Sequence, residues 1–142
     1  MTTPDEALGT ALAAEHAAVY AYGVLGARLT GHARGDAVSA EAAHRARRDA
    51  LLLRVARSGA TPSPAAPAYT LPFPVTDVAG ALRLAVLVEE RTAEAWRAAV
   101  PPAGRRDRTT AVAALTDCAV RATRWRRRAH PTAPPTVPFP GS

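Results

Sequence analysis

Apolar residues recur at steps of three and four along four segments of the chain, a spacing that places them on one face of an α-helix. The pattern predicts helices over about residues 4–30, 36–58, 77–100 and 105–129. The first helix also carries a start signal, because Thr3 is a capping residue, Pro4 suits the first helical position and Glu6 completes a capping box. Gly31 is expected to end this helix.

The prolines lie between and after these helices. Residues 59–76 hold too many prolines for a helix and show no strand pattern, yet they are long enough to cross a bundle in extended form. Tyr69, Leu71 and Phe73 alternate within this crossover, which predicts that one of its sides lies on the bundle. Residues 130–142 are expected to form an extended tail. Two short helix connections and one long crossover predict an all-α, ferritin-like four-helix bundle, built from two antiparallel helical hairpins in one domain.

Polar residues interrupt the apolar stripes near the middle of three helices. Glu15, Glu41 and Glu89 each fall on the face that should be buried. Because a charged carboxylate in the interior must be paired, hydrogen-bonded, protonated or metal-bound, their matching depth predicts a polar centre inside the bundle. Six residues make up this predicted centre: Glu15, Glu41, His44, Arg45, Arg48 and Glu89.

The stretch "EAAHRARRD" begins with Glu-x-x-His, which ferritin-like di-iron proteins use as a metal-binding pair. A di-iron site needs two such pairs and a glutamate from each of the other two helices. Glu41 with His44 supplies one pair, and Glu15 and Glu89 supply the single glutamates. The fourth helix reads "LTDCAVRATRW" at its middle and has neither Glu nor His, so the set for a second iron is incomplete.

Two interpretations of the centre remain. In the first, these four side chains bind a single iron, manganese or zinc ion, which their ligand types suit. In the second, the guanidinium groups of Arg45 and Arg48, one and four residues from His44, neutralise the carboxylates through charge-assisted hydrogen bonds. We favour the arginine interpretation, with no metal and no other cofactor, because cations are poor neighbours for a metal ion.

The charge of the chain does not by itself indicate a nucleic-acid partner. The net charge is +6, and all 18 basic residues are arginine, whose planar fork suits phosphate. The arginines are spread along the sequence among acidic neighbours, so we expect no nucleic-acid binding. The run Arg124–Arg128 favourably meets the dipole at a helix C-terminus, and with His130 it offers an alternative surface for an acidic partner.

The remaining composition predicts a cytoplasmic protein that does not enter a membrane. One cysteine, Cys118, excludes an internal disulfide framework and fits a reducing compartment. The N-terminus lacks the basic region of a signal peptide. The longest apolar stretch without a charge, His16–Ala27, is shorter than the roughly 20 residues that span a bilayer.

The chain resembles the DUF4439 family, alanine-rich bacterial proteins of unknown function with a ferritin-like fold. The resemblance rests on the order and spacing of "AAEHAAVYAYGVLGARL", "AHRARRDAL", "PAYTLPFPV", "LAVLVEERTAEAW", "AVRATRWR" and "PTVPFPG". It implies the fold and little chemistry. Carried over position by position, it points to recurring polar and aromatic residues: Glu15, His16, Tyr20, Arg48, Asp49, Tyr69, Glu89, Trp96 and Trp125.

These positions predict a second polar layer beside the centre. We assign to it five residues: His16, Tyr20, Tyr22, Asp49 and Tyr69. Tyr22 lies on the apolar stripe of the first helix, so its ring belongs to the core and its hydroxyl can reach the centre. Trp96 and Trp125 are expected to pack in the core, and Cys118 to behave as a small buried hydrophobe.

We therefore expect a non-catalytic binding or structural module, working as a homodimer, with an unidentified small-molecule ligand if any. Two-fold dimers are the commonest oligomers, and the Gly23-x-x-Gly26 surface allows close helix contact. One alternative is a mononuclear metal-binding protein or oxidoreductase of the ferritin-like superfamily. A second alternative is an arginine-rich binder of nucleic acid or acidic protein.

Overall fold

Four α-helices and no strand make up the computed structural model, which describes residues 1–142. The helices are α1 (Pro4–Gly26), α2 (Gly31–Arg57), α3 (Val78–Ala99) and α4 (Arg105–Ala129). The all-α, four-helix prediction is confirmed. The alanine-rich sequence explains the class, because alanine has the highest helix propensity and its small side chain lets helices approach closely.

The start of α1 follows its sequence signal, but its end does not. The Thr3 hydroxyl accepts from the Glu6 amide at 3.2 Å, and the Thr3 amide donates to Glu6 Oε2 at 2.8 Å. Helix α1 ends at Gly26, and Gly31 begins α2 with a φ of 57°. The predicted end near residue 30 and start near residue 36 are therefore wrong, because the left-handed backbone at Gly31 turns the chain into the next helix.

The helices enclose two apolar clusters. Helix α1 packs against α2 and α3, and α3 packs against α4. One cluster contains Leu12, Leu51 and Trp96, and the other contains Leu25 and Leu84. Most of the remaining buried residues are alanines. Because alanine is small, the helices approach closely, and a few large side chains fill the space left in each cluster.

Helices α2 and α4 are joined by ion pairs across a more open seam. Arg54 donates to both oxygens of Asp107, with the shortest contact at 2.7 Å from Nη2 to Oδ2. Two further pairs connect the same helices: Arg47 with Asp117, and Arg128 with Asp36. Because these arginines span the gap, their aliphatic stems and charged ends form the walls of the seam.

The crossover lies against the bundle with one side, as its alternation predicts. Tyr69, Leu71 and Phe73 are partly buried, whereas the residues between them are exposed. The Phe73 ring lies 3.8 Å from the guanidinium carbon of Arg83, a cation–π contact that ties the crossover to α3. Residues 130–142 contain no helix or strand and pack beside α3 and α4.

Candidate functional site

Three charged side chains with no solvent exposure lie at the centre of the bundle. Glu15 comes from α1, His44 from α2 and Glu89 from α3, and each is 0% exposed. They belong to neither apolar cluster, so they form a polar layer of the core. Because these side chains are fully buried, a polar atom left unpaired here would carry its full desolvation cost, so each hydrogen bond in this layer contributes to stability.

The imidazole of His44 bridges the two carboxylates. Its Nδ1 lies 2.6 Å from Glu15 Oε2, and its Nε2 lies 2.9 Å from Glu89 Oε1. Burial alone would lower the pKa of His44, but the hydrogen bonds to Glu15 and Glu89, together with their charges, raise it from 6.5 to about 9. Both ring nitrogens therefore donate, and the ring is an imidazolium at neutral pH.

Aromatic donors extend the hydrogen bonds on both sides of His44. The Trp96 indole N–H donates to Glu15 Oε1 at 2.7 Å. On the other side, the Tyr22 hydroxyl donates to Glu89 Oε1 at 2.6 Å and accepts from the Trp125 indole N–H at 2.8 Å. Burial and the Glu89 charge raise the pKa of Tyr22 well above its usual value, so the hydroxyl keeps its proton.

Helix α4 contributes a second cation to the centre. Arg121 Nη1 lies 3.6 Å from Glu89 Oε2, and both atoms are buried without a hydrogen-bond partner. Burial raises the pKa of Glu89, but the His44 hydrogen bond and charge and the Arg121 charge outweigh it, and the net shift is downward. Two carboxylates thus face two cations, and the centre is electrically balanced.

Cys118 lies beside this centre on α4. The side chain is fully buried and forms no disulfide. Burial, reinforced by the charges of Glu89 and Glu15, raises the pKa of the Cys118 thiol far above its usual range. It is a protonated small side chain in this environment, as expected from the sequence, and a poor nucleophile.

The other half of the predicted centre lies outside it. Glu41 and Arg45 form an i,i+4 ion pair, with the Arg45 side chain 52% exposed. Arg48 contacts Asp49 at the surface. The prediction that Arg45 and Arg48 neutralise the buried acids is wrong, because His44 alone points from this stretch into the core, and Arg121 of α4 supplies the guanidinium.

The predicted second polar layer divides into three places. Tyr22 belongs to the centre itself, whereas Asp49 is a surface residue paired with Arg48. The other three members lie where α1 meets the crossover. His16 Nε2 is 3.0 Å from the backbone oxygen of Ser63, and the rings of Tyr20 and Tyr69 are 5.4 Å apart. Their role is to fasten the crossover to α1.

The residues present do not fit a di-iron centre. Glu15, His44 and Glu89 are at hand, but Glu41 lies outside the centre, and α4 offers Cys118 and Arg121 in place of a Glu-x-x-His pair. In addition, both nitrogens of His44 are used as donors to carboxylates, so neither has a lone pair free for a metal ion.

Three members of the centre were not recognised as such in the sequence. Trp96 and Trp125 were assigned to core packing, and their indole N–H groups in fact complete the hydrogen bonds of Glu15 and Tyr22. Arg121, whose charge faces Glu89, is the third. The available signal was its position four residues before Trp125, on the edge of the α4 apolar stripe.

The fold and this centre define an all-α protein of the four-helix class with a buried carboxylate–histidine–guanidinium layer. The chain belongs to the family described as "Domain of unknown function (DUF4439)", whose profile matches residues 7–142. It is 41% identical to a solved structure described as a conserved hypothetical protein, rv2844, from Mycobacterium tuberculosis, with a TM-score of 0.85. That similarity covers 88% of this chain and 96% of the other.

A search of curated proteins finds no match. Among the helices, none combines the length and apolar character that a bilayer crossing demands. The family and the structural relative share the fold of this chain, and a shared fold does not by itself specify a function.

Proposed function

We propose that this protein is a ferritin-like bundle that has replaced metal ions with protein cations, and that it serves as a non-catalytic binding or structural module. The directions of the helices support the ferritin-like assignment, because α1 runs opposite to α3 and α2 runs opposite to α4, as expected when a long crossover joins two helical hairpins. Contacts between α1 and α3 join Glu15 to Trp96 and Tyr22 to Glu89, so later positions on one helix meet earlier positions on the other. The three ion pairs between α2 and α4 run in the same opposed order.

The observation that carries the proposal is the internal charge balance of the centre. The imidazolium of His44 lies between Glu15 and Glu89, and Arg121 faces the remaining oxygen of Glu89. A ferritin-like metal centre uses its ions to neutralise buried carboxylates. Here two protein cations do so, which leaves the carboxylates no need of a metal and His44 no free nitrogen to act as a base.

The balanced layer also gives the bundle a defined register. Its hydrogen bonds connect all four helices, since the Trp125 indole N–H of α4 donates to Tyr22, and the ion pair of Arg121 with Glu89 adds a second link to α4. A sliding of one helix by a turn would strand a buried charge, at a cost of several kcal/mol. The layer therefore supports a structural role, in which α1 to α4 form a rigid scaffold for contacts made at their outer surfaces.

One grouping favours the alternative of a mononuclear metal protein. Ligand atoms of His44, Glu89 and Cys118 all lie within 4.8 Å of one another. Binding would require loss of a proton from His44 and from the Cys118 thiol, each of which holds its proton strongly at neutral pH. Metal affinity would then rise steeply with pH, because ligand deprotonation is coupled to binding.

Elemental analysis of protein purified without chelator separates these two functions. We expect substoichiometric iron, manganese and zinc, unchanged in a Glu89→Gln variant. Glu41→Ala is the matched control, since Glu41 lies outside the centre and belongs to the metal set suggested by the sequence. About one ion per chain, lost in Glu89→Gln and kept in Glu41→Ala, would overturn the proposal and establish the metal site. The homodimer stays a prediction, to be checked by sedimentation velocity.

A further inference from the structure

A cleft of about 440 Å³ opens between α2 and α4, outside the charge-balanced centre. Its apolar wall is formed by Ala43, Ala46 and Ala50 of α2, which are partly or fully exposed, and its floor is formed by Leu8, Leu51 and Trp96, which are only 1–3% exposed. Trp96 thus lines the cleft while its indole N–H donates to Glu15 of the centre. A concave, partly apolar space of this volume lies within the size range of small-molecule sites, which hold about 300–1,000 Å³.

The polar lining of the cleft is strongly cationic. It holds four arginines and two aspartates: Arg47, Arg54, Arg57, Arg106, Asp107 and Asp117. The Arg54 guanidinium is held by Asp107, and that of Arg47 by Asp117. None of the ion pairs in the structure includes Arg57 or Arg106. Two free guanidinium groups therefore stand at a cleft with an apolar lining.

We propose that this cleft binds an amphipathic organic anion, with an apolar body along the wall of Ala43, Ala46 and Ala50 and a carboxylate or phosphate head on Arg57 and Arg106. Guanidinium forks bind either head group through paired, charge-assisted hydrogen bonds. The apolar body gains by leaving water against this wall. The proposal does not depend on whether the centre binds a metal.

The shape of the cleft favours a small molecule over a nucleic acid. A duplex is bound by cations arrayed over an exposed face, with phosphates spaced along both strands. Here Arg47 and Arg54 are already paired across the seam, and the two unpaired arginines, Arg57 and Arg106, line one concave space. One anionic head group matches this pair of cations.

Isothermal titration calorimetry with eight-carbon probes tests the proposal on the full chain. The probes are octanoate, octyl phosphate, octanol and inorganic phosphate, which separate the head group from the apolar body. We expect saturable binding of one octanoate or octyl phosphate per chain, at least tenfold tighter than either octanol or inorganic phosphate. The preferred head identifies the ligand as a carboxylate or a phosphate ester. Equal affinity for octanol would overturn the anionic part of the proposal.

A double variant locates the site. Arg57→Gln with Arg106→Gln should weaken octanoate binding at least tenfold, and lysine at both positions should restore it to within about threefold, since lysine keeps the charge without the fork. The matched control is Arg28→Gln with Arg127→Gln, two exposed arginines that also reduce the net charge by two. Thermal unfolding first shows that each variant keeps the melting temperature of the wild type, so that weaker binding is not caused by loss of the native fold. Equal weakening in the control pair, or none in the cleft pair, would refute this location.

Discussion

The bridging imidazolium predicts an unusual loss of stability at mildly alkaline pH. The pKa of His44 rises from 6.5 to about 9 in the native state, because its ring N–H groups donate to Glu15 and Glu89. A raised native pKa means that the folded chain binds the proton more tightly than the unfolded chain. The stabilisation is complete below about pH 6.5 and is lost as the pH rises through about 9.

The size of this loss follows from the shift. At about 1.4 kcal/mol for each pH unit, the change in the pKa of His44 corresponds to about 3 kcal/mol of unfolding free energy. Cys118 and Tyr22 also have raised pKa values, but their unfolded forms titrate at higher pH. The change in unfolding free energy between about pH 6.5 and 8 therefore arises mainly from the titration of His44.

Urea unfolding, followed by the fluorescence of the two buried tryptophans, measures the effect. We expect the wild-type free energy of unfolding to fall across this interval, with a steeper fall towards pH 9. In a Glu89→Gln variant, which keeps an acceptor but removes one negative charge from His44, the slope should be shallower. Glu41→Ala is the control and should keep the wild-type slope, because Glu41 lies at the surface.

NMR of the histidine ring protons provides an independent reading. One of the four histidines should titrate near pH 9, and its resonance should be lost in His44→Gln. That variant leaves two buried carboxylates with only Arg121 and should cost about 3–5 kcal/mol at neutral pH. A wild-type stability that is flat between pH 6.5 and 9, together with His44 titrating near 6.5, would refute the imidazolium bridge.

Three further predictions follow from named contacts. Trp96→Phe removes the donor to Glu15 and should cost about 1–3 kcal/mol in urea unfolding, against less than about 0.5 kcal/mol for Glu41→Ala. The buried, protonated Cys118 should resist a disulfide reagent at about pH 8 in the native state and react fully in urea; fast native labelling would contradict its burial. Gly141→Ala should release the C-terminal tail to proteolysis without loss of helix, because its φ is 79° and an added methyl carbon would lie 2.9 Å from an α3 carbonyl oxygen.

Much of the fold was predictable because it depends on local chemistry. The capping box at Thr3 and Glu6, the proline-rich crossover and the apolar periodicity each act within a few residues, and they defined the number and class of the helices. The boundary between α1 and α2 was not predictable in the same way. Gly31 can end one helix or begin another, and only its φ in the folded chain distinguishes the two.

The sequence by itself determined that Glu15 and Glu89 lie at similar depth on buried faces, since a helix turns about 100° per residue and the spacing to apolar neighbours sets the direction of each side chain. It predicted Glu41 on the buried face of α2, where the structure places His44, and it favoured the wrong cations for the carboxylates. Arg45 and Arg48 are close to His44 along the chain, but Arg121 comes to Glu89 through the packing of α3 against α4. Tertiary structure decided that choice, because only the rotation and register of separate helices determine which distant side chains share a buried space.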